Sequence, residues 1–338
     1  MLVIMSISAP TEQVEQVCEK IKQLGHTAHE IKGLKRTVIA VTGNDKPVET
    51  GPIRMLAGVE EIVRVTRPYY LVSREYRQEN SIIEVNGVKI GGEDFAVMAG
   101  PCSVESREQV MAIAEAVSSS GAKIFRGGAF KPRTSPYSFQ GLGEEGLKLL
   151  AEVRDKFGLA IITEAVDTET IDLVARYADI VQIGARNMQN YSLLKKAGRL
   201  RKPVLLKRGM WATLEEFLMS AEYLMAGGNE QVILCERGIR TSANHKNQVL
   251  DLASALQIKK ISHLPIICDP SHSSAERYKV PPLSRAALAA GADGLLIEVH
   301  NHPEAALSDG QQAITPDDLA LLMNQMRAIA PVLERKLN

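Results

Sequence analysis

From residue 95 onward the chain repeats one rhythm of apolar runs and amphipathic stretches. The apolar runs are FAVMAG, AKIFRGG, LAIITEA, ADIVQIGA, PVLLKRG, QVILCERG, LPIICDPSH and ADGLLIEVH. Helical periodicity lies between most of them, in SREQVMAIAEAVSSSG, GEEGLKLLAEVRDKFG, TETIDLVARYA, LEEFLMSAEYLMAGG, SRAALAAGA and PDDLALLMNQMRAIA. Eight strands alternating with helices predict a (β/α)8 barrel over residues 95–338. The runs are continuously apolar rather than alternating, as parallel strands covered on both faces require.

The first 70 residues have a different texture. LVIMSIS, TAHEIK, RTVIAVTG and VEEIVRVT read as strands, TEQVEQVCEKIKQLG and PVETGPIRMLAG as helices. In the first helix Val14, Val17, Ile21 and Leu24 share a face, Thr11 is the expected cap, and Gly25 ends the helix. The order βαββαβ predicts a small ferredoxin-like unit over residues 1–70, either a regulatory or assembly module or a stabilising appendage. Residues 71–94 read as a linker followed by a hairpin with Asn86-Gly87 as its two-residue turn.

Composition narrows the function. A chain of 338 residues with 45% apolar and 24% charged residues and a formal net charge of zero is ordinary for a soluble globular protein. It does not suit a nucleic-acid binder, which carries a basic excess or stripe. No apolar run has the length of a membrane span, and MLVIMSISAP lacks the basic start of a secretion signal. The four cysteines, at 18, 102, 235 and 268, are far apart and read as reduced thiols of a cytoplasmic protein. Cys18, Cys235 and Cys268 are expected to pack as apolar groups, as are Met210, Met219 and Met225.

In a barrel of this kind the chemistry sits at the C-terminal ends of the strands, so the residues that end each apolar run matter most. The first ends in Gly100-Pro101-Cys102. The second ends in Arg126 and leads to Lys131 and Arg133; the third ends in Glu164. The fourth leads to Arg186, the fifth ends in Lys207-Arg208, and the sixth ends in Cys235-Glu236-Arg237 with Arg240 beyond. The seventh leads to Asp269 and His272, the eighth to Glu298 and His300. So many cations on one rim need a bound anion or neighbouring acids to offset them. Cys102, His272, Glu298 and Asp309 are separate from the cations. Strand 8 of a closed barrel lies beside strand 1, which brings these four together as a mixed sulfur, nitrogen and oxygen set for Mn, Fe, Co or Zn. A substrate across this rim places phosphates on the cations and a carbonyl at the metal side.

The motifs KPRTS after strand 2, IGARNMQN after strand 4, LLKRG, CERGIRT, DPSHS and IEVH together resemble type I 3-deoxy-D-arabino-heptulosonate 7-phosphate (DAHP) synthases. The resemblance covers the whole chain and is to the β subgroup with a fused N-terminal ferredoxin-like (ACT-like) domain. It implies a metal-dependent, aldol-type condensation of phosphoenolpyruvate with erythrose 4-phosphate, opening the shikimate route to aromatic amino acids. It also implies that Cys102, His272, Glu298 and Asp309 hold the divalent ion, with Cd able to serve as well. By the same likeness Arg126, Lys131, Ala185, Arg186, Lys207 and Arg237 form the phosphoenolpyruvate site beside Glu164. Arg133 and Thr134, with Ser135 nearby, contact the sugar phosphate. Lys131 is the candidate general acid for the aldehyde oxygen, or a pure charge contact, and joins Cys102 and His272 as a catalytic residue.

The related 3-deoxy-D-manno-octulosonate 8-phosphate synthases, which use arabinose 5-phosphate, typically carry KANRS where this chain has KPRTS. A Schiff-base aldolase using Lys207 or Lys131 and a non-catalytic sensor are the other readings of the same rim. The likeness further implies a homotetramer, and a tyrosine or phenylalanine effector on the N-terminal unit.

Overall fold

The computed structural model describes every residue except 34–35, 44–47, 64–67, 134 and 243–247. The N-terminal unit contains β1 (Leu2–Met5), α1 (Thr11–Gln23), β2 (Thr27–Lys32), β3 (Thr37–Thr42), α2 (Gly51–Arg54) and β4 (Val59–Val63). Its strands form an antiparallel sheet in the order β2-β3-β1-β4, as the βαββαβ pattern predicts. Val14, Val17 and Ile21 of α1 pack on Val3, Met5, Ile39 and Val41 of the sheet. Thr11 is not the cap: it is the first helical residue, and extended Pro10 precedes it without a side-chain capping bond. Gly25, at φ 82°, turns the chain out of α1 as expected.

The hairpin consists of β5 (Ile83–Val85) and β6 (Val88–Ile90). Asn86 and Gly87 have φ of 49° and 79°, the left-handed pair that a two-residue turn matching strand twist requires. Its apolar face is more than a connection. Ile83, Val85, Val88 and Ile90 pack among the lumen-facing residues Ala96, Met98, Ile124, Leu205 and Leu296, and so plug the N-terminal mouth of the barrel.

The barrel strands are β7 (Asp94–Gly100), β8 (Ile124–Arg126), β9 (Ala160–Ala165), β10 (Ile180–Ile183), β11 (Val204–Lys207), β12 (Val232–Glu236), β13 (Ile266–Cys268) and β14 (Gly294–Glu298). Each pairs in parallel with the next, and β14 closes on β7 over five residue pairs, from Gly294 opposite Ala96 to Glu298 opposite Gly100. A short β15 (Lys336–Leu337) extends the sheet at the base of β7. Alternation divides the buried residues into two cores. Along β7, Phe95, Val97 and Ala99 face the helices, whereas Ala96 and Met98 face the lumen.

The outer layer is α3 (Arg107–Ser119), α4 (Glu144–Phe157), α5 (Ile171–Tyr177), α6 (Tyr191–Ala197), α7 (Leu214–Ala226), α8 (Leu252–Ile261), α9 (Pro270–Ser274), α10 (Val280–Ala289) and α11 (Pro316–Ile329). Neither α6 nor α8 is among the sequence-predicted helices. Both carry an N-cap signal, for Asn190 accepts from the Leu193 amide and Asp251 from the Ser254 amide.

Candidate active site

Register decides which side chains meet. Glu298 ends β14 directly opposite Gly100, so Cys102 lies just beyond the same sheet edge. The chain can turn there only because residue 100 is glycine. Its φ is 150°, and a Cβ would lie 2.1 Å from the Arg126 carbonyl oxygen of the next strand. From β13 the chain enters the first turn of α9, where Asp269 caps the helix by accepting the His272 amide at 2.9 Å. The loop after β14 supplies Asp309, held at φ 55°.

One sulfur, one nitrogen and one oxygen from each carboxylate of Cys102, His272, Glu298 and Asp309 lie within 4.8 Å of one another. The contacts are direct. Cys102 Sγ donates to Asp309 Oδ2 at 2.9 Å, and His272 Nε2 lies 3.2 Å from Glu298 Oε1. The spacing and the mixed donor set fit a borderline divalent ion with bonds of about 2.0–2.3 Å. Three supports surround the cluster. Arg126 Nη1 donates to Glu298 Oε1 at 2.8 Å, Gln312 Nε2 to Glu298 Oε2 at 2.7 Å, and Asp269 Oδ2 sits 2.7 Å from His272 Nδ1. Such outer partners fix ligand orientation. Burial pushes the Cys102 thiol up to about 12; Glu298 adds to the rise and Lys131 opposes it. Burial also works against the Asp309 carboxylate, but His272, the Cys102 hydrogen bond and Lys131 outweigh it and hold the group below its usual range.

Beside the cluster opens a cavity of about 530 Å³. Six of its lining side chains are cationic, namely Lys131, Arg133, Arg186, Lys207, Arg237 and Arg240. Among the described residues only Glu164 and Asp309 oppose them there, so the cavity keeps a positive surplus. Lys131 bridges the two regions, with Nζ 3.0 Å from Cys102 Sγ. Lys207 Nζ donates to Asp269 Oδ2 at 2.6 Å, in a pair whose side chains are at most 5% exposed. Burial counts against the Asp269 carboxylate, yet His272 and Lys207 keep it well below the usual range. Arg237 differs. Its hydrogen bonds go to neutral acceptors, Gln248 Oε1 at 3.0 Å and the His272 carbonyl at 3.5 Å, and burial pushes its guanidinium down. A bound anion would serve it better. Glu164 accepts from Gln182 Nε2 at 3.0 Å and fills the space beside Gly184, where a Cβ would lie 2.1 Å from Glu164 Oε1.

The structure therefore groups the sequence-predicted residues. Lys131, Arg133, Ser135, Glu164, Ala185, Arg186, Lys207 and Arg237 line the cavity together with His272 and Asp309. Arg126 is buried behind it against Glu298, and Thr134 lies outside the described residues. Arg208 turns away to pair with Glu236 at 2.8 Å and Asp251 at 3.3 Å, the ordinary role open to a strand-end arginine. Met210 departs from the expected core role. It lines the cavity, and its sulfur accepts from Gln248 Nε2 at 3.2 Å. Gln248 and Gln312, which the sequence does not single out, are uncharged amides in loops, with no periodicity or charge to mark them.

Comparison with known proteins agrees with this geometry. A family described as the DAHP synthetase I family matches residues 75–334. The chain belongs to the DAHP synthetase I family. Residues 1–67 match the DAHP synthase ferredoxin-like domain. A Thermotoga maritima protein named phospho-2-dehydro-3-deoxyheptonate aldolase is 49% identical over 338 residues, covering 100% of both chains. A crystal structure of the T. maritima DAHP synthase, 49% identical, superposes with a TM-score of 0.81 over 100% of this chain and 99% of that one. A truncated form of the T. maritima synthase, 50% identical, gives 0.75 over 79% of this chain and 98% of its own. A 2-dehydro-3-deoxyphosphooctonate aldolase of Geobacter sulfurreducens is 33% identical over 273 residues, 75% of this chain and 98% of that protein. The chain is thus an enzyme of the DAHP synthase class, as its strand-end motifs predict, and its barrel with a fused ferredoxin-like unit is the family architecture. No helix among the described residues is long and apolar enough to cross a membrane.

Proposed function

We propose that the enzyme condenses phosphoenolpyruvate with erythrose 4-phosphate and water to give DAHP and inorganic phosphate, with a divalent ion held by Cys102, His272, Glu298 and Asp309. The observation that carries this reading is the meeting of that tetrad with a cation-lined cavity at one strand-end rim. Arg186, Lys207 and Arg237, with Lys131 beside them and Arg126 behind, take the phosphate and carboxylate of phosphoenolpyruvate. Guanidinium forks match the oxygens of both the phosphate and the carboxylate. Arg133, with Thr134 and Ser135, takes the phosphate of the sugar. Two polyanions are thereby held head to head, and orientation of this kind lowers a barrier by up to about 7–11 kcal/mol.

The C2=C3 π pair of phosphoenolpyruvate forms the new bond from C3 to the aldehyde C1, which leaves C2 electron-deficient, while the C=O π pair moves onto the aldehyde oxygen. The ion, when bound, polarises that aldehyde. Lys131 lies 3.0 Å from Cys102 Sγ, beside the tetrad, and is placed to give its proton to the aldehyde oxygen. Water then adds at C2 and loses a proton, and the resulting hemiketal phosphate breaks its C2–O(P) bond, releasing inorganic phosphate as the C2 hydroxyl gives up its proton and becomes the ketone.

An assay of phosphate release with each sugar phosphate tests the reading. Turnover is expected with erythrose 4-phosphate and not with arabinose 5-phosphate, to be abolished by chelation and restored by Mn, Fe, Co, Zn or Cd. The reverse sugar preference would mark an octulosonate synthase, and chelator-insensitive turnover would remove the ion from the scheme. The family resemblance also supports a place at the head of the shikimate route, a homotetramer and a cytoplasmic setting.

The ferredoxin-like unit is assigned a regulatory role, with tyrosine or phenylalanine as its ligand. Its match to a domain characteristic of these synthases supports this. Removing residues 1–70 leaves the hairpin plug in place, so kcat should stay within a few-fold of the full chain while inhibition by the amino acid disappears. A full-length enzyme indifferent to all three aromatic amino acids would refute the assignment.

A further inference from the structure

The peptide of Leu307 is gripped on both sides. Its N–H donates to Glu105 Oε1 at 2.9 Å, and its carbonyl accepts from Arg133 Nη2 at 3.1 Å. The Leu307 side chain is 54% exposed, so polar contacts rather than apolar burial hold this segment. Two residues further on is Asp309, whose φ of 55° lies in the left-handed region that aspartate tolerates better than most residues. Glu105 also reaches back to the neighbouring ligand-bearing segments. It accepts from Ser103 Oγ at 3.2 Å, directly after Cys102, and its Oε2 lies 3.5 Å from His300 Nε2, just beyond Glu298. Its side chain is only 11% exposed, yet it is not a member of the ligand cluster. A single carboxylate therefore joins the three stretches that supply Cys102, Glu298 and Asp309.

We propose that Glu105 is a positioning residue for the metal centre, locking the Asp309 arm against the Cys102 arm and so setting ion affinity. The proposal rests on the tetrad being a metal site. Outer-shell partners of metal ligands typically govern affinity by about 10–100-fold. The test is the dissociation constant for Mn²⁺ or Co²⁺ by equilibrium dialysis of the full-length protein. Glu105→Ala should weaken binding by about 10–100-fold. Glu105→Gln keeps an acceptor oxygen for the Leu307 N–H and should recover most of the loss. Glu105→Asp, one methylene shorter, should stay weak, and it serves if the alanine variant does not fold.

The decisive comparison uses Asp309→Ala as background, where Glu105→Ala should cost much less than in the wild type, because only its ties to the Cys102 and Glu298 segments then remain to be lost. A general structural role would instead lower ion-free melting and weaken binding equally in both backgrounds, which would overturn the proposal. Unchanged affinity in Glu105→Ala and Glu105→Asp would overturn it too. A wild type that binds no ion would instead refute the metal reading on which it rests.

Discussion

Replacing Cys102 with serine should lower kcat/KM by about a thousandfold at an ion concentration that just saturates the wild type, because the variant's site is then largely empty. A Lewis-acidic ion contributes several kcal/mol of transition-state stabilisation, and about 4 kcal/mol corresponds to that factor. The volume change is small, so the loss should come without a large change in melting temperature. Serine keeps the shape and the contact with Asp309 but is a far poorer ligand for soft or borderline ions. The thiol makes a second, sharper expectation. Burial holds it at about 12, yet only the thiolate binds a metal, so binding must release its proton. Ion affinity of the wild type should therefore rise about tenfold per pH unit between about pH 7 and 9, and Cys102→Ser should abolish that slope. Affinity independent of pH in the wild type would mean that the sulfur is not a ligand.

Much of this architecture is readable from residue order. Eight apolar runs give eight strands because residues buried on both faces leave an uninterrupted signal, and closure then places Glu298 beside Gly100 and Cys102. Charge at strand ends is equally visible, which is why Lys131, Arg186, Lys207 and Arg237 stand out in the sequence itself. Other features leave weaker traces. The helices α6 and α8 are no shorter than α5 and α10, which the pattern does predict, and their sequence signal is chiefly the caps at Asn190 and Asp251. The hairpin is plain from Asn86-Gly87, but its service as a barrel plug depends on tertiary packing of Ile83 and Ile90 that no local pattern encodes. Glu105 and Gln312 act through hydrogen bonds to segments about 200 and 14 residues away, and no spacing rule reports such pairings. Asp269 is conspicuous as a strand-end acid, whereas its simultaneous hold on Lys207 and His272 is visible only in three dimensions.

That hold separates two arginine- and lysine-dependent effects that sequence alone treats alike. Lys207→Met removes the cationic partner of a fully buried carboxylate. Breaking one side of such a pair generally costs about 3–5 kcal/mol, because the remaining charge is left desolvated. Here the lower end is expected, since Asp269 keeps the His272 ring and amide as partners. For a chain of 338 residues about 3 kcal/mol corresponds to a melting temperature lower by roughly 4 °C. Asp269 should also protonate more readily in the variant. In the wild type its depressed pKa contributes stability that is present above the unfolded value and lost as pH falls through the folded one. Without Lys207 that loss begins at higher pH, so the variant should denature in milder acid. The KM for phosphoenolpyruvate should rise as well. Arg186 is exposed at the cavity wall with no carboxylate in contact among the described residues. Arg186→Ala should therefore leave melting unchanged within about 1 °C, because surface substitutions stay within about 0.5 kcal/mol, while raising the same KM. Paired melting curves and phosphoenolpyruvate titrations distinguish the two. If Arg186→Ala melts as low as Lys207→Met, its charge is structural; if neither variant changes the KM, the cavity is not where the substrate's anionic groups bind.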